Sequence, residues 1–126
     1  MTLKEWETSL AEVMPGVVEL RRALHRHPEL SGQEAWTQAF ITQLLTQLGF
    51  RVVTFADCHG VMGVLENGAG RCIAIRADMD ALPVTEATGL PFASEIPGMM
   101  HACGHDAHMA LALGTADYLS RHREAW

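Results

Sequence analysis

HACGHDAH, residues 101–108, sets three histidines, one cysteine and one aspartate in eight positions of a chain in which 19% of residues are charged. Cys103 and His105 stand two apart across Gly104, in a turn that can aim a thiolate and an imidazole at one ion without helical geometry. A soft sulfur beside a borderline nitrogen selects zinc or a neighbouring transition metal over magnesium or calcium. The same spacing also fits a buried free cysteine beside hydrogen-bonding histidines at a helix start, and spacing alone leaves both readings open. His101 and His108 raise the local ligand density, and His108, three residues beyond His105, is equally placed to support a ligand. A second polar stretch, DMDALP at 78–83, alternates Asp78 and Asp80. Along a continuing strand these face opposite sides, one toward a pocket and the other toward backbone or an arginine such as Arg76; an Asx-turn ending the strand is the plainer alternative. Arg21, Arg22, His25 and His27 read as basic residues complementing a helix dipole, and Cys58 and Cys72 as packing residues.

The elements that must position these residues are legible in part. Val17, Leu20 and Leu24 recur at helical spacing and end near Arg26, because Pro28 disfavours helix at His27. An earlier turn around Trp6, Leu10 and Val13 meets Pro15-Gly16, which should kink or split it. Ser31 and Glu34 have capping-box spacing for a second helix with a Trp36, Phe40, Leu44 and Leu48 stripe, stopped by Gly49. The runs at 51–56, 60–66 and 71–77 are short and rich in β-branched residues, as strands are. Asn67-Gly68-Ala69-Gly70 joins the last two as a hairpin, and RCIAIRA (71–77), apolar on both faces, reads as a central strand. Residues 78–100, with Pro83, Pro91 and Pro97, form a long loop of the kind that carries function. Asp106 then caps a helix over about 107–119 with Met109, Leu113 and Ala116 on one face, Ala112 and Gly114 allowing close packing. The fold class is α/β: two helices, three strands, a long loop and a helix. Both polar stretches lie at element ends, where such architectures place their sites.

The chain has 126 residues and is 48% apolar, enough for one domain with a core. A net charge of −6 with scattered basic residues excludes a nucleic-acid stripe. The N-terminus has no apolar signal region and no 18-residue apolar run follows, so neither export nor a membrane partner is expected. Three cysteines without scaffold spacing suit a reducing compartment, the cytoplasm by default.

LRRALHRHPELSGQE and IAIRADMDALPVTEATGLPFASEIPGMMHACGHDAHMALALGTADYL, in this order, resemble the start of the metal-dependent amidohydrolases of the aminoacylase and carboxypeptidase superfamily, in the branch of hippurate hydrolase, N-acyl-amino-acid amidohydrolases and indole-acetyl amino acid hydrolases. The likeness runs from about Leu20 to Leu119. It implies a three-layer zinc-peptidase-like catalytic domain, of which 1–126 is the incomplete N-terminal portion, with the dimerisation domain absent. It implies metal-ligand roles for Cys103 and His105, the thiolate shared between two divalent ions, zinc or manganese. Asp80 takes the place of the superfamily's aspartate that orients a metal ligand, whereas Asp78 stands where that segment has a histidine. The activity implied is metal-assisted hydrolysis of the amide bond of N-acyl amino acids. In the family a general-base glutamate lies in a Glu-Glu pair downstream of the CGHD helix, followed by further ligands; this sequence has no Glu-Glu pair. The expectation is therefore part of an active site, completed by the missing C-terminal part or accompanied by homo-oligomerisation. The alternative is a catalytically inactive remnant or metal-binding module. A third reading, a redox thiol at Cys103, lacks a resolving cysteine at Cys-x-x-Cys spacing.

Overall fold

A computed structural model describes residues 2–126, the side chain of Leu3 excepted. The elements are α1 (Leu3–Arg26), α2 (Ala35–Gln47), β1 (Arg51–Thr54), β2 (Val61–Val64), α3 (His105–Arg121) and a closing 3-10 turn at Arg123–Ala125. The architecture is α/β, with helices packed on one another and on a small antiparallel sheet.

The split expected at Pro15-Gly16 does not occur, and α1 runs unbroken for 24 residues with Pro15 inside it. Two effects outweigh the lost amide donor. Thr2 and Glu5 form a capping box, with the Glu5 amide donating to Thr2 Oγ1 at 3.3 Å and the Thr2 amide donating to Glu5 Oε2 at 2.6 Å. Val13, Val17 and Leu24 are buried along its length, so packing holds a helix that local chemistry would interrupt. The end at Arg26 is as expected.

α2 begins at Ala35 with no side-chain cap from its own N-terminal residue, and the expected Ser31–Glu34 box is not formed. Its orphan donors go to Glu29 instead. The Trp36 amide donates to Glu29 Oε1 at 3.0 Å, and the Thr37 amide and hydroxyl each donate to Oε2 at 2.8 Å. The row facing the core is Thr37, Ile41 and Leu45; Trp36, Phe40 and Leu44 form its half-buried shoulder. Gly49, at φ +82°, turns the chain out of the helix.

β1 and β2 pair antiparallel, Arg51 opposite Val64 and Thr54 opposite Val61, so the hairpin joins the first two expected strands. Gly63 lets it lie against α2, since a Cβ there would stand 3.0 Å from both Leu45 Cδ1 and Phe50 Cδ1. Residues 71–77 form no ladder among the described residues, which corrects the third strand and its hairpin. A strand apolar on both faces needs neighbours on both edges and cover above and below. Here Ile73 is 86% and Ile75 58% exposed.

Leu24, Ile41, Leu45, Met109 and Leu113 make the main core, and Val13, Val17, Ala110 and Tyr118 a second cluster between α1 and α3. The two helices meet at Gly114: a Cβ there would come within 2.3 Å of Val17 Cγ2. α3 and its apolar face follow the expectation, except that Asp106 lies inside the first turn and Gly104 is the N-terminal cap residue.

Candidate metal centre

Backbone pairing brings the two polar stretches side by side. The Ala81 amide donates to Glu29 O at 2.8 Å, and Leu82 and Met100 exchange amide bonds of 3.0 Å in each direction. This holds 80–82 between the segment after α1 and the segment leading into α3. Gly104, at φ +86°, then reverses the chain so that His105 opens α3 beside Asp80. His105 Nδ1–H donates to the Asp80 carbonyl at 2.9 Å and to Asp80 Oδ1 at 3.0 Å. With Nδ1 protonated, Nε2 carries the free lone pair, which is the tautomer a metal-binding histidine needs.

Asp78 points elsewhere, its two oxygens held by the Arg76 guanidinium. The alternation read from the sequence therefore resolves as one aspartate toward the site and one toward Arg76. Cys103 is exposed, so the buried-cysteine reading does not hold for it; Cys58 and Cys72 are exposed as well, against the packing role expected of them. The His108 ring lies 6.0 Å from that of His105. His101 is 3% exposed, and neither of its ring nitrogens has a hydrogen-bond partner among the described residues. Burial pushes its pKa below the usual histidine value, partly offset by Asp106 and Asp80 and reinforced by His25 and His105.

A thiol and an oriented imidazole fit a thiophilic divalent ion in kind. In number they fall short: among the described residues no group of three or more histidine, cysteine, aspartate or glutamate side chains is placed to hold an ion.

A buried network behind His105 was not foreseen. Asp106, fully buried, accepts from Arg21 Nε at 2.8 Å and from His25 Nδ1 at 2.7 Å, both at Oδ2. His25, 2% exposed, faces Glu86 Oε1 with its Nε2 at 3.2 Å. Glu86 also accepts from the Ser94 amide at 2.6 Å and from the Thr88 hydroxyl. Burial alone would raise the Glu86 pKa, but the Ser94 amide, the Thr88 hydroxyl and His25 together hold it below the ordinary carboxylate value. Phe92 closes the cluster, edge-on to His25 and under the guanidinium groups of Arg21 and Arg22. His25 and Arg21 thus serve a buried carboxylate rather than a helix dipole. The available signal was a histidine one turn beyond an arginine on the apolar side of a helix, read without knowledge of where Asp106 would fall.

Residues 74–126 match the model of peptidase family M20/M25/M40. An N-acyl-L-amino acid amidohydrolase of Geobacillus stearothermophilus is 45% identical over 125 residues, 98% of this chain and 34% of the relative. An N-acetyl-L-cysteine deacetylase of Bacillus subtilis is 42% identical over 128 residues, 99% of this chain and 31% of the relative. A solved Bacillus subtilis structure, described as a dinuclear metal binding peptidase from the M20 family, superimposes with TM-score 0.82 at 42% identity over 90% of this chain and 32% of its own. The chain spans about a third of the length of these relatives.

Proposed function

Because residues 74–126 match peptidase family M20/M25/M40, we propose that the chain belongs to this family and carries the first part of a metal-dependent amidohydrolase site for N-acyl amino acids, N-benzoylglycine among them. The observation that carries the reading is the Asp80–His105 pair, which fixes an imidazole with its Nε2 free two residues along the chain from an exposed thiol. Cys103 and His105 are the ligands; Asp80 holds the Nδ1 proton and the ring plane of His105. When bound there, a divalent transition metal, zinc or manganese, supplies Lewis-acid polarisation of the scissile carbonyl, with a second ion in the complete site. Residues 1–126 are then the N-terminal portion of the catalytic domain, and the base and remaining ligands correspond to the part of the relatives beyond the matched third, with homo-oligomers as a further expectation. Among the described residues no helix is long and apolar enough to cross a membrane, and three free thiols suit the cytoplasm.

The test measures zinc binding and N-benzoylglycine hydrolysis for the chain alone and for the chain fused to the remaining two-thirds of the Geobacillus relative. The chain alone should bind zinc weakly and hydrolyse nothing; the fusion should be active and lose activity on Cys103→Ala or His105→Ala. Hydrolysis by the chain alone would overturn the partial-site reading. A fusion indifferent to both substitutions would overturn the ligand assignment, and an inactive fusion that binds zinc would favour a metal-binding module.

A further inference from the structure

Few groups hold the start of α3 in place. Its cap residue is a left-handed glycine that supplies no side-chain bond, and His105 itself is the first helical residue. Besides His105 itself, a side chain that ties this turn to the rest of the molecule is Asp106, adjacent to His105 and fully buried against α1, where His25 and Arg21 donate to a single oxygen. The other face of His25 bonds Glu86, which gathers the Ser94 amide and the Thr88 hydroxyl. One imidazole therefore joins α1, the first turn of α3 and the loop at 86–94. Two ring nitrogens each facing a carboxylate also leave His25 no freedom to rotate or flip.

Resting on the reading of His105 as a ligand, we propose that His25 is a positioning residue for His105, acting through Asp106: it fixes the backbone of the first turn of α3 so that the His105 ring meets Asp80. Asp80 orients the ring only if the ring arrives within hydrogen-bond reach, and a shift of that turn breaks two bonds of 2.9 and 3.0 Å at once. Arg21 supports the same oxygen from a partly exposed position, whereas His25 is enclosed. Purely structural pinning would alter stability alone. Positioning alters the state of the His105 ring in molecules that remain folded.

The experiment records the ring tautomer of His105 by long-range proton–nitrogen NMR on the metal-free 126-residue chain at neutral pH, with His25→Gln and Arg21→Gln beside the unsubstituted protein. The unsubstituted chain should show a single Nδ1–H form. His25→Gln should show a mixture of both tautomers and, in a separate titration, a zinc affinity reduced ~10-fold, the scale on which outer partners of a ligand act. Glu86→Gln, which leaves the Asp106 bond intact, should keep the single form. A folded His25→Gln chain with unchanged His105 signals would overturn the proposal. Arg21→Gln, which likewise leaves the His25 bond to Asp106 in place, should keep the single form; where His25→Gln does not fold, Asp106→Asn decides: a mixed His105 signal supports positioning through Asp106, and an unchanged one overturns it. Failure of the unsubstituted chain to bind zinc would count against the ligand reading, while the tautomer measurement would still decide the role of His25.

Discussion

Replacing Asp80 with asparagine keeps the shape beside His105 and removes the charge that stabilises a proton on Nδ1. The backbone carbonyl of Asp80 still accepts, so the ring is weakened in orientation rather than freed. Zinc affinity measured by competition with a chromogenic chelator should fall about 10-fold, while Asp78→Asn, whose side chain bonds the exposed Arg76, should leave it unchanged. Glu86 supplies a second residue-level test. Its folded pKa lies below the usual value, so its contribution to holding the loop is complete above the unfolded value of 4.5 and is lost as pH falls through the lower folded value. The protection factor of the Ser94 amide should therefore persist down to about pH 4.5 and collapse below it, and Glu86→Gln should remove the pH dependence. At this scale the sequence was informative about type and mute about direction. Asp80, Cys103 and His105 could be named from their motifs, but that Asp106 turns inward to α1 instead of capping α3 depends on its meeting His25, 81 residues away in sequence.

Among the elements, the contact between α1 and α3 is the one that a single methyl group should disturb most. Alanine at Gly114 would put its Cβ within 2.3 Å of Val17 Cγ2, so the Val17 side chain or the helix pair must shift. Gly114→Ala should lower the unfolding free energy by about 1–3 kcal/mol in urea titrations, and Val17→Ala in the same chain should recover part of it. Helix existence and type were readable from periodicity, whereas ends and caps were less so. The α2 donors are satisfied by Glu29, which lies beyond any local box spacing and on the far side of a turn. The continuity of α1 through Pro15 likewise reflects burial on both sides of the proline, a tertiary effect that a propensity argument does not contain.

For the whole molecule, the main departure from the sequence reading lies at 71–77, where the composition of a central strand is present and the sheet around it is not among the described residues. Periodicity reports what a segment is suited to, and a ladder needs a partner that composition cannot supply. An apolar segment left open in this way should draw copies together: light scattering should show self-association that rises with concentration, and Ile73→Lys with Ile75→Lys should reduce it. The same segment also separates how the chain is connected from how it is held together. The part before it packs against the part after it chiefly between α1 and α3, with Val17 on Gly114 and His25 on Asp106. Trypsin acting briefly on the folded protein should cut after the exposed Arg71, and the two pieces should travel as one species on gel filtration until denaturant parts them. A covalent break in the middle of the chain would then leave the His105 end of α3 standing where it was.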